Sequence, residues 1–209
     1  DGTRTDYWNM DQPHAPYLFM VAVGEFAVVQ EKWNEMLLEY YVEPEYRELA
    51  KKIFPYTPEM LSFFSDRLGV KYPWQKYSQV VVRDYVSGAM ENTTAGIFGE
   101  FMQGDEDFLK DNLTNEKIVA HEMFHHWFGD YVTCESWANL TMNEGFANYS
   151  EYLWLEEKHS RDEADYHWLQ EVRGYLAQAN IHPLIHYGYN NKEDMFDQHS
   201  YNKGGLVLH

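Results

Sequence analysis

The stretch His121-Glu122-Met123-Phe124-His125 places two histidines four positions apart, with a glutamate directly after the first. On an α-helix, residues four apart lie on one face, one turn apart. Both imidazoles can therefore bind a single ion at ~2.0–2.1 Å. Glu122 is offset by about 100° around the helix, which leaves its carboxylate beside the ion, where it can take a proton from water. Taken alone, the pattern also fits two ordinary histidines on a helix face.

A third ligand completes the pattern. The segment Asn143-Glu144-Gly145-Phe146-Ala147 opens the next predicted helix, and Glu144 lies nineteen positions after His125. The intervening residues are enough for a helix end, a loop and a return, so Glu144 can approach the same ion from an antiparallel neighbour. A His, His, Glu set with one open position is the thermolysin type of site, which favours Zn²⁺. The sequence therefore predicts one Zn²⁺ per chain, bound by His121, His125 and Glu144, with Glu122 as the base.

The other polar residues near these motifs are less informative. Asn148 and Glu151 lie four and seven positions after Glu144, on its helix face, and either could orient a ligand or simply contact solvent. His126 is expected to pack. His182 and His186 repeat the four-residue spacing, but the proline between them argues against a helix that holds both.

The composition of the chain limits the classes of function that it can have. The 209 residues are 44% hydrophobic, enough for a packed core in one large or two small domains. A net charge of −18 argues against nucleic-acid partners, because binding to phosphates depends on Lys and Arg. The single cysteine, Cys134, excludes an intrachain disulfide. The longest apolar stretch, residues 17–29, is too short to span a bilayer. None of these features indicates the compartment, the oligomeric state or a preferred substrate residue.

Periodicity gives the elements of the first half. Residues 18–29 are rich in branched and aromatic side chains and predict one or two buried strands that turn near Gly24. Residues 41–67 have a helical pattern interrupted by prolines. Residues 79–85 predict another buried strand, and residues 87–92 a turn or an edge segment.

The second half is predicted to be helical, over residues 115–128, 143–158 and 160–179. Gly129 would end the first of these helices, and Ser160 with Glu163 forms a capping box at the start of the third. In the first half, Thr57 is predicted to cap a helix that Gly69 ends. Strands first and helices after predict an α+β domain.

Six blocks of sequence, in this order and spacing, resemble the catalytic domain of the zinc metallo-aminopeptidases, the family that includes aminopeptidase N and leukotriene-A hydrolase. The blocks are Tyr17-Leu18-Phe19-Met20-Val21-Ala22-Val23-Gly24, Gly88-Ala89-Met90-Glu91-Asn92, residues 121–130, Trp137-Ala138-Asn139-Leu140, Asn143-Glu144-Gly145-Phe146-Ala147 and Tyr201-Asn202-Lys203-Gly204-Gly205.

The resemblance implies a thermolysin-like α+β fold over residues 1–209, with a small mixed sheet in residues 1–112 and a helical half in residues 113–209. It also implies that the chain is a segment of a longer protein, flanked by an N-terminal and a C-terminal domain. The partners would be those domains and peptides with a free N-terminal amine. We therefore expect the isolated segment to bind zinc but to hydrolyse peptides poorly.

The resemblance also implies roles for individual residues in an aminopeptidase reaction. Glu91 would bind the free α-ammonium of the substrate, and a carboxylate in a partly dry cleft pairs strongly with such a cation. The backbone of Gly88 and Ala89 would line the substrate like an added strand. Tyr201 would donate a hydrogen bond to the oxyanion of the transition state.

Two other functions remain open on the sequence alone. One is a thermolysin-like endopeptidase with the same zinc chemistry, and the other is a catalytically silent, zinc-binding domain that binds peptides. The chain also departs from the family where Thr93-Thr94-Ala95 follows the Glu91 block, since many relatives continue with Trp-Gly. That difference affects the shape of the side-chain pocket rather than the chemistry.

Overall fold

A computed structural model of the chain describes residues 2–111, 113–178 and 182–209. Within these residues, five strands form one sheet in the order β1-β2-β3-β5-β4. The β1–β2 and β4–β5 pairs are antiparallel, and the β2–β3 and β3–β5 pairs are parallel. The predicted mixed sheet and α+β class are confirmed. The strands are β1 (Ala27–Trp33), β2 (Met36–Val42), β3 (Tyr77–Val82), β4 (Ala89–Met90) and β5 (Ala95–Gly99).

Strands β1 and β2 form a hairpin whose turn follows from its residues. Asn34 adopts a left-handed conformation with φ of 53°, which Asn tolerates and tight hairpin turns require. In β2, Leu38, Tyr40 and Val42 are buried at alternate positions and face the core.

Seven α-helices accompany the sheet in the described residues. Shorter 3₁₀ segments connect them, and a π-helical turn over His199–Lys203 leads directly into the last helix. No helix among the described residues is long and apolar enough to cross a membrane. The helices are α1 (Ala50–Ile53), α2 (Thr57–Leu68), α3 (Glu106–Leu109), α4 (Leu113–Phe124), α5 (Thr141–Lys158), α6 (Arg161–Leu176) and α7 (Gly204–Leu208).

The strand prediction for residues 18–29 is wrong over most of its length. Only Ala27 and the two residues after it belong to a strand, β1. Phe19, Val21 and Val23 are largely exposed, and no strand in the described residues pairs with them. Branched and aromatic composition favours a strand, but a strand also needs a neighbour to accept its backbone hydrogen bonds.

Several other predicted boundaries of helices and strands differ from those in the structure. The region expected to be helical from residue 41 begins with the end of β2, and Thr57 is the first residue of α2 rather than its cap. Gly69 ends α2 in a left-handed conformation, as predicted. The predicted strand over residues 79–85 is β3, which starts two residues earlier and ends at residue 82, and the edge segment at 87–92 contains β4.

In the helical half, α5 and α6 match their predictions closely, and Ser160 caps α6 by accepting a hydrogen bond from the Glu163 amide. Helix α6 ends at Leu176, and the predicted end at Ala179 lies outside the described residues. Helix α4 ends at Phe124 instead of residue 128, before the turn that contains Gly129.

The main core lies between the sheet and helices α2 and α4. Its fully buried side chains include Tyr40, Phe54, Phe64, Phe98 and Met123. A smaller cluster joins α5 to α6 through Tyr152, Leu155, Ala164 and Trp168. Helix α4, which carries His121 and ends one residue before His125, is therefore held between the sheet and the helical half.

Two glycines let α5 and α7 cross with their backbones almost in contact. A Cβ on Gly145 would lie 2.9 Å from backbone atoms of Gly204, and one on Gly204 would lie 2.7 Å from the Thr141 side chain. This crossing fixes the distance between the helix that carries Glu144 and the segment that carries Tyr201.

Replacing Gly145 with alanine is therefore expected to destabilise the fold by about 1–2 kcal/mol. Alanine favours a helix by ~0.5–1 kcal/mol, but overpacking against backbone costs about 1–3 kcal/mol because backbone cannot move aside cheaply. Thermal unfolding of the variant measures the difference. Gly88→Ala is the control, since its added Cβ would meet nothing within 4 Å. An unchanged melting temperature for Gly145→Ala would show that the crossing is loosely packed.

Candidate metal centre

Helices α4 and α5 bring the three predicted ligands together. The Nε2 atoms of His121 and His125 lie 3.3 and 3.2 Å from the same oxygen of Glu144, Oε2. All three side chains are buried. His125 follows the last residue of α4, yet its amide still donates to the carbonyl of His121, so the one-turn spacing is kept. One donor atom from each residue lies within 4.8 Å of the others.

The second nitrogen of each imidazole is also occupied. Nδ1 of His121 lies 2.8 Å from Oε1 of Glu151, and Nδ1 of His125 lies 3.0 Å from the carbonyl of Phe128. A neutral imidazole has only one N–H, and these acceptors assign it to Nδ1. Without a cation, a proton on each Nε2 satisfies its contact with Glu144, whereas with a cation bound each Nε2 presents its lone pair to the ion. Two lone-pair donors around a carboxylate oxygen are compatible when a cation lies among them.

The electrostatics of the buried cluster favour added positive charge. Burial alone would lower the pKa of His125, but the carboxylates of Glu91 and Glu144 outweigh it and raise that pKa to about 9. Burial would raise the pKa of Glu144, and the two histidines instead hold it well below its ordinary value. A field that attracts protons this strongly also attracts a divalent cation, which competes for the same lone pairs.

Glu151 is the residue that orients His121, whereas Asn148 bonds to Glu171 instead. The other oxygen of Glu151 lies 3.3 Å from Nε2 of His167 on helix α6. Burial would raise the pKa of Glu151, but its two histidine partners lower it to about 2, so it stays ionised. The sequence offered no sign of His167, because its contact depends on how α5 and α6 pack.

Glu122 and Glu91 lie beside the three ligands. Donor atoms of Glu91, Glu122 and His125 lie within 4.8 Å of one another. Burial raises the pKa of Glu122 and of Glu91, and His121 and His125 partly offset the effect at Glu122. Oε2 of Glu122 is buried and has no hydrogen-bond partner in the described part of the chain. Such a carboxylate is available to accept a proton.

His126 connects this helix to the segment that carries Glu91. It is fully buried, its Nδ1 bonds to the carbonyl of Glu122, and its Nε2 accepts from the amide of Thr94. Burial lowers the pKa of His126 to about 3, so the ring stays neutral and can both donate and accept. A further bond from Asn92 to the carbonyl of Leu18 holds the same segment from the other side.

Tyr201 faces the cluster from the π-helical turn. Its ring is stacked over that of His121, with centroids 6.0 Å apart and an angle of 12° between the planes. Burial and the carboxylates of Glu144, Glu122 and Glu91 raise its pKa well above the ordinary value for a phenol. Tyr201 therefore remains a hydrogen-bond donor at neutral pH.

One cavity of about 440 Å³ is lined by the three predicted ligands together with Glu91, Glu122, Glu151 and Tyr201. Gly88, Ala89 and Met90 form part of its wall, and β4 is the edge strand of the sheet, so its outer side lies free of any described strand. An extended peptide can add to such an edge. The remaining lining includes Tyr17, Trp137, Asn143, Lys192 and Phe196.

Residues 54–209 match the peptidase family M1 domain. The chain belongs to peptidase family M1. This match covers the zinc-ligand candidates on α4 and α5 as well as Glu91 and Tyr201. The family predicted from the six sequence blocks is confirmed.

Curated relatives of this M1 peptidase chain are aminopeptidases. Glutamyl aminopeptidase of Bos taurus is 30% identical over 206 residues, which cover 94% of this chain and 22% of that protein. The Homo sapiens glutamyl aminopeptidase is 29% identical over 216 residues, 99% of this chain and 22% of its own length. Probable aminopeptidase 2 of Sulfurisphaera tokodaii is 27% identical over 203 residues, 92% and 26%. The chain thus spans about a fifth to a quarter of each relative's length.

Proposed function

We propose that the protein is a zinc-dependent aminopeptidase, and that residues 1–209 are its thermolysin-like catalytic domain. The observation that carries the proposal is the grouping of His121, His125 and Glu144 with Glu122 and Glu91 in one cavity. Aminopeptidase relatives within family M1 support the same reaction.

His121, His125 and Glu144 fit a Zn²⁺ ion by the chemistry of their donors. Two imidazole nitrogens and one carboxylate oxygen are the ligand set of a catalytic zinc site, which keeps a fourth position open. When bound there, Zn²⁺ would polarise the scissile carbonyl and make water more acidic. Glu151 would fix the His121 ring through Nδ1, 2.8 Å away, and leave Nε2 for the ion.

The chain's own carboxylates would handle the charges of substrate and water. Glu91 would bind the α-ammonium of the peptide, because it is a buried carboxylate at the cavity wall, beside the edge strand β4. Glu122 would take a proton from the attacking water and deliver it to the leaving amine nitrogen. Its raised pKa suits a group that must hold a proton briefly between these two transfers.

Tyr201 and β4 would hold the peptide during the reaction. The phenol O–H of Tyr201 would donate to the oxyanion that forms when water adds to the carbonyl. The backbone of Gly88 and Ala89 would pair with the extended substrate. Anchoring the N-terminus at Glu91 sets which peptide bond meets Glu122, so cleavage removes one residue.

Acetylation of the substrate's N-terminus tests this assignment. An acetylated peptide has no ammonium and leaves the buried Glu91 carboxylate unpaired, which costs about 3–5 kcal/mol. We expect kcat/KM to fall by about 100-fold or more relative to the free peptide. The matched control is the same peptide amidated at its C-terminus, which keeps its ammonium. The assay uses the full-length protein. If it cleaved the acetylated and the free peptide at similar rates, it would be an endopeptidase; if it cleaved neither, the domain would be a silent peptide-binding domain.

Replacing Glu151 with glutamine is expected to weaken zinc binding by about 10- to 100-fold, as loss of an orienting charge beside a ligand usually does. Glutamine still accepts a hydrogen bond from His121 but carries no charge. Competition with a chromophoric chelator measures the affinity. Glu171→Gln is the control, since Glu171 bonds Asn148 and not a candidate ligand. Equal zinc affinity in both variants would show that Glu151 does not support zinc binding.

The remaining parts of the protein are proposed to flank this domain on both sides. The curated relatives are about four to five times as long as the stretch that this chain matches, as their 22% and 26% coverage implies. Partners of the domain would thus be peptides with a free amine and the flanking domains of the same protein.

A further inference from the structure

A second group of potential ligands lies outside the cavity described above. His182, Asp197 and His199 each offer a donor atom within 4.8 Å of the others. None of the three lines the cavity around His121. We propose that they form a second site for a divalent metal ion of the zinc type.

The surroundings of His182 resemble those of the proposed zinc ligands. Its Nδ1 lies 2.8 Å from the carbonyl of Pro183, and its Nε2 lies 2.6 Å from Oδ2 of Asp197. Both ring nitrogens therefore face oxygen acceptors, although a neutral imidazole has one N–H. His121 shows the same pattern, with Glu151 at Nδ1 and Glu144 at Nε2. At 2.6 Å, Nε2 and Oδ2 share a proton directly. An ion that binds there would displace this proton and widen the contact to about 3.3 Å, the spacing of two ligand atoms ~2.0 Å from one tetrahedral ion.

Asp197 and His199 are both held beside His182, and Nε2 of His199 accepts a weak bond of 3.4 Å from the His182 amide, which an ion bound at that nitrogen would displace. Oδ1 of Asp197 accepts from the amides of His199 and Ser200, which leaves Oδ2 directed at His182. The His199 ring is fully buried, and its centroid lies 4.2 Å from that of His182. Two imidazoles and one carboxylate are borderline ligands that suit Zn²⁺.

The site is open enough for an ion to enter. The side chains of His182 and Asp197 are 15% and 21% exposed, so water can complete the coordination. His199 also begins the π-helical turn that carries Tyr201, two residues later. A metal bound here would fasten the residues around His182 to that turn and so stabilise the position of Tyr201.

Metal stoichiometry tests the proposal independently of peptidase activity. The full-length protein, stripped with a chelator, is titrated with Zn²⁺ and separately with Co²⁺, whose visible spectrum reports coordination. The background variant His125→Ala/Glu144→Ala disables the first site. It should still bind about one equivalent, and adding Asp197→Asn should weaken that binding by about 100-fold or more. In the otherwise unchanged protein, Asp197→Asn should lower the zinc content by one equivalent.

The control variant is His186→Ala, because the His186 ring stacks on His182 but belongs to no three-donor group among the described residues. It should keep the second ion. Zinc should also raise the melting temperature of the background variant, since binding to the folded state stabilises it. The proposal is overturned if the folded background variant binds no metal, if its Kd is on the order of 1 mM or weaker, or if Asp197→Asn changes neither stoichiometry nor affinity. An intact first site with an empty second one would leave the aminopeptidase assignment unaffected.

Discussion

Replacing Glu122 with glutamine is expected to lower kcat by about 10²–10⁴-fold while the protein keeps its zinc. General base catalysis contributes about that factor, and glutamine cannot accept and return a proton. Oε2 of Glu122 bonds to nothing in the described residues, so the amide replaces no existing contact there. The three proposed ligands are unchanged, and the metal should stay at about one equivalent in this site.

Two measurements separate this outcome from a structural effect. Metal content and thermal unfolding should match those of the parent protein, whereas kcat falls and KM changes little. Glu116→Gln is a useful comparison, because Glu116 is a buried carboxylate of the same helix that bonds Trp154 and His159 rather than the cavity. It should lower stability more than kcat. If Glu122→Gln lost the zinc as well, Glu122 would be a ligand or a structural support, and its assignment as a base would be wrong.

The ligand group could be predicted from sequence because local geometry fixes most of it. A helix sets the relation of His121 to His125, and the hydrogen bond between their backbones keeps it even where α4 ends. Glu144 lies near the start of α5, which packs against α4, and the start of this helix was predicted to within two residues. The sequence could not choose between Asn148 and Glu151 as the partner of His121, since that depends on the angle at which α4 and α5 cross.

The sheet was harder to predict because strands depend on distant partners. Strand β5 contains two glycines among five residues, a composition that disfavours strands, yet it lies in the interior of the sheet because β3 and β4 pair with it on either side. Residues 18–26 show the opposite case, where a segment of favourable composition has no strand to pair with among the residues that the structure describes. His126 was expected only to pack. Its bond to Thr94 depends on how the segment just before β5 packs against the end of α4, and the sequence does not show that packing.

Replacing Glu144 with alanine is expected to remove zinc from the first site and to lower kcat/KM by at least about 10³-fold. The carboxylate is one of three protein ligands, and its loss leaves two imidazoles without the charge that balances a dication. Polarisation by the metal is worth several kcal/mol in the transition state, and each 1.4 kcal/mol is a factor of ten. Elemental analysis after dialysis, combined with an assay on an aminoacyl anilide, measures both effects.

The control is Glu157→Ala, which removes an exposed carboxylate from the same helix, α5. It should leave zinc content and activity near those of the parent protein. Glu144→Asp separates charge from reach: it keeps the negative charge but shortens the side chain by one methylene. We expect it to bind zinc more weakly than the parent protein and more tightly than Glu144→Ala. If Glu144→Ala kept both zinc and activity, the 3.2–3.3 Å contacts from its carboxylate to His121 and His125 would be an ordinary buried ion pair, and the metal would have to lie elsewhere.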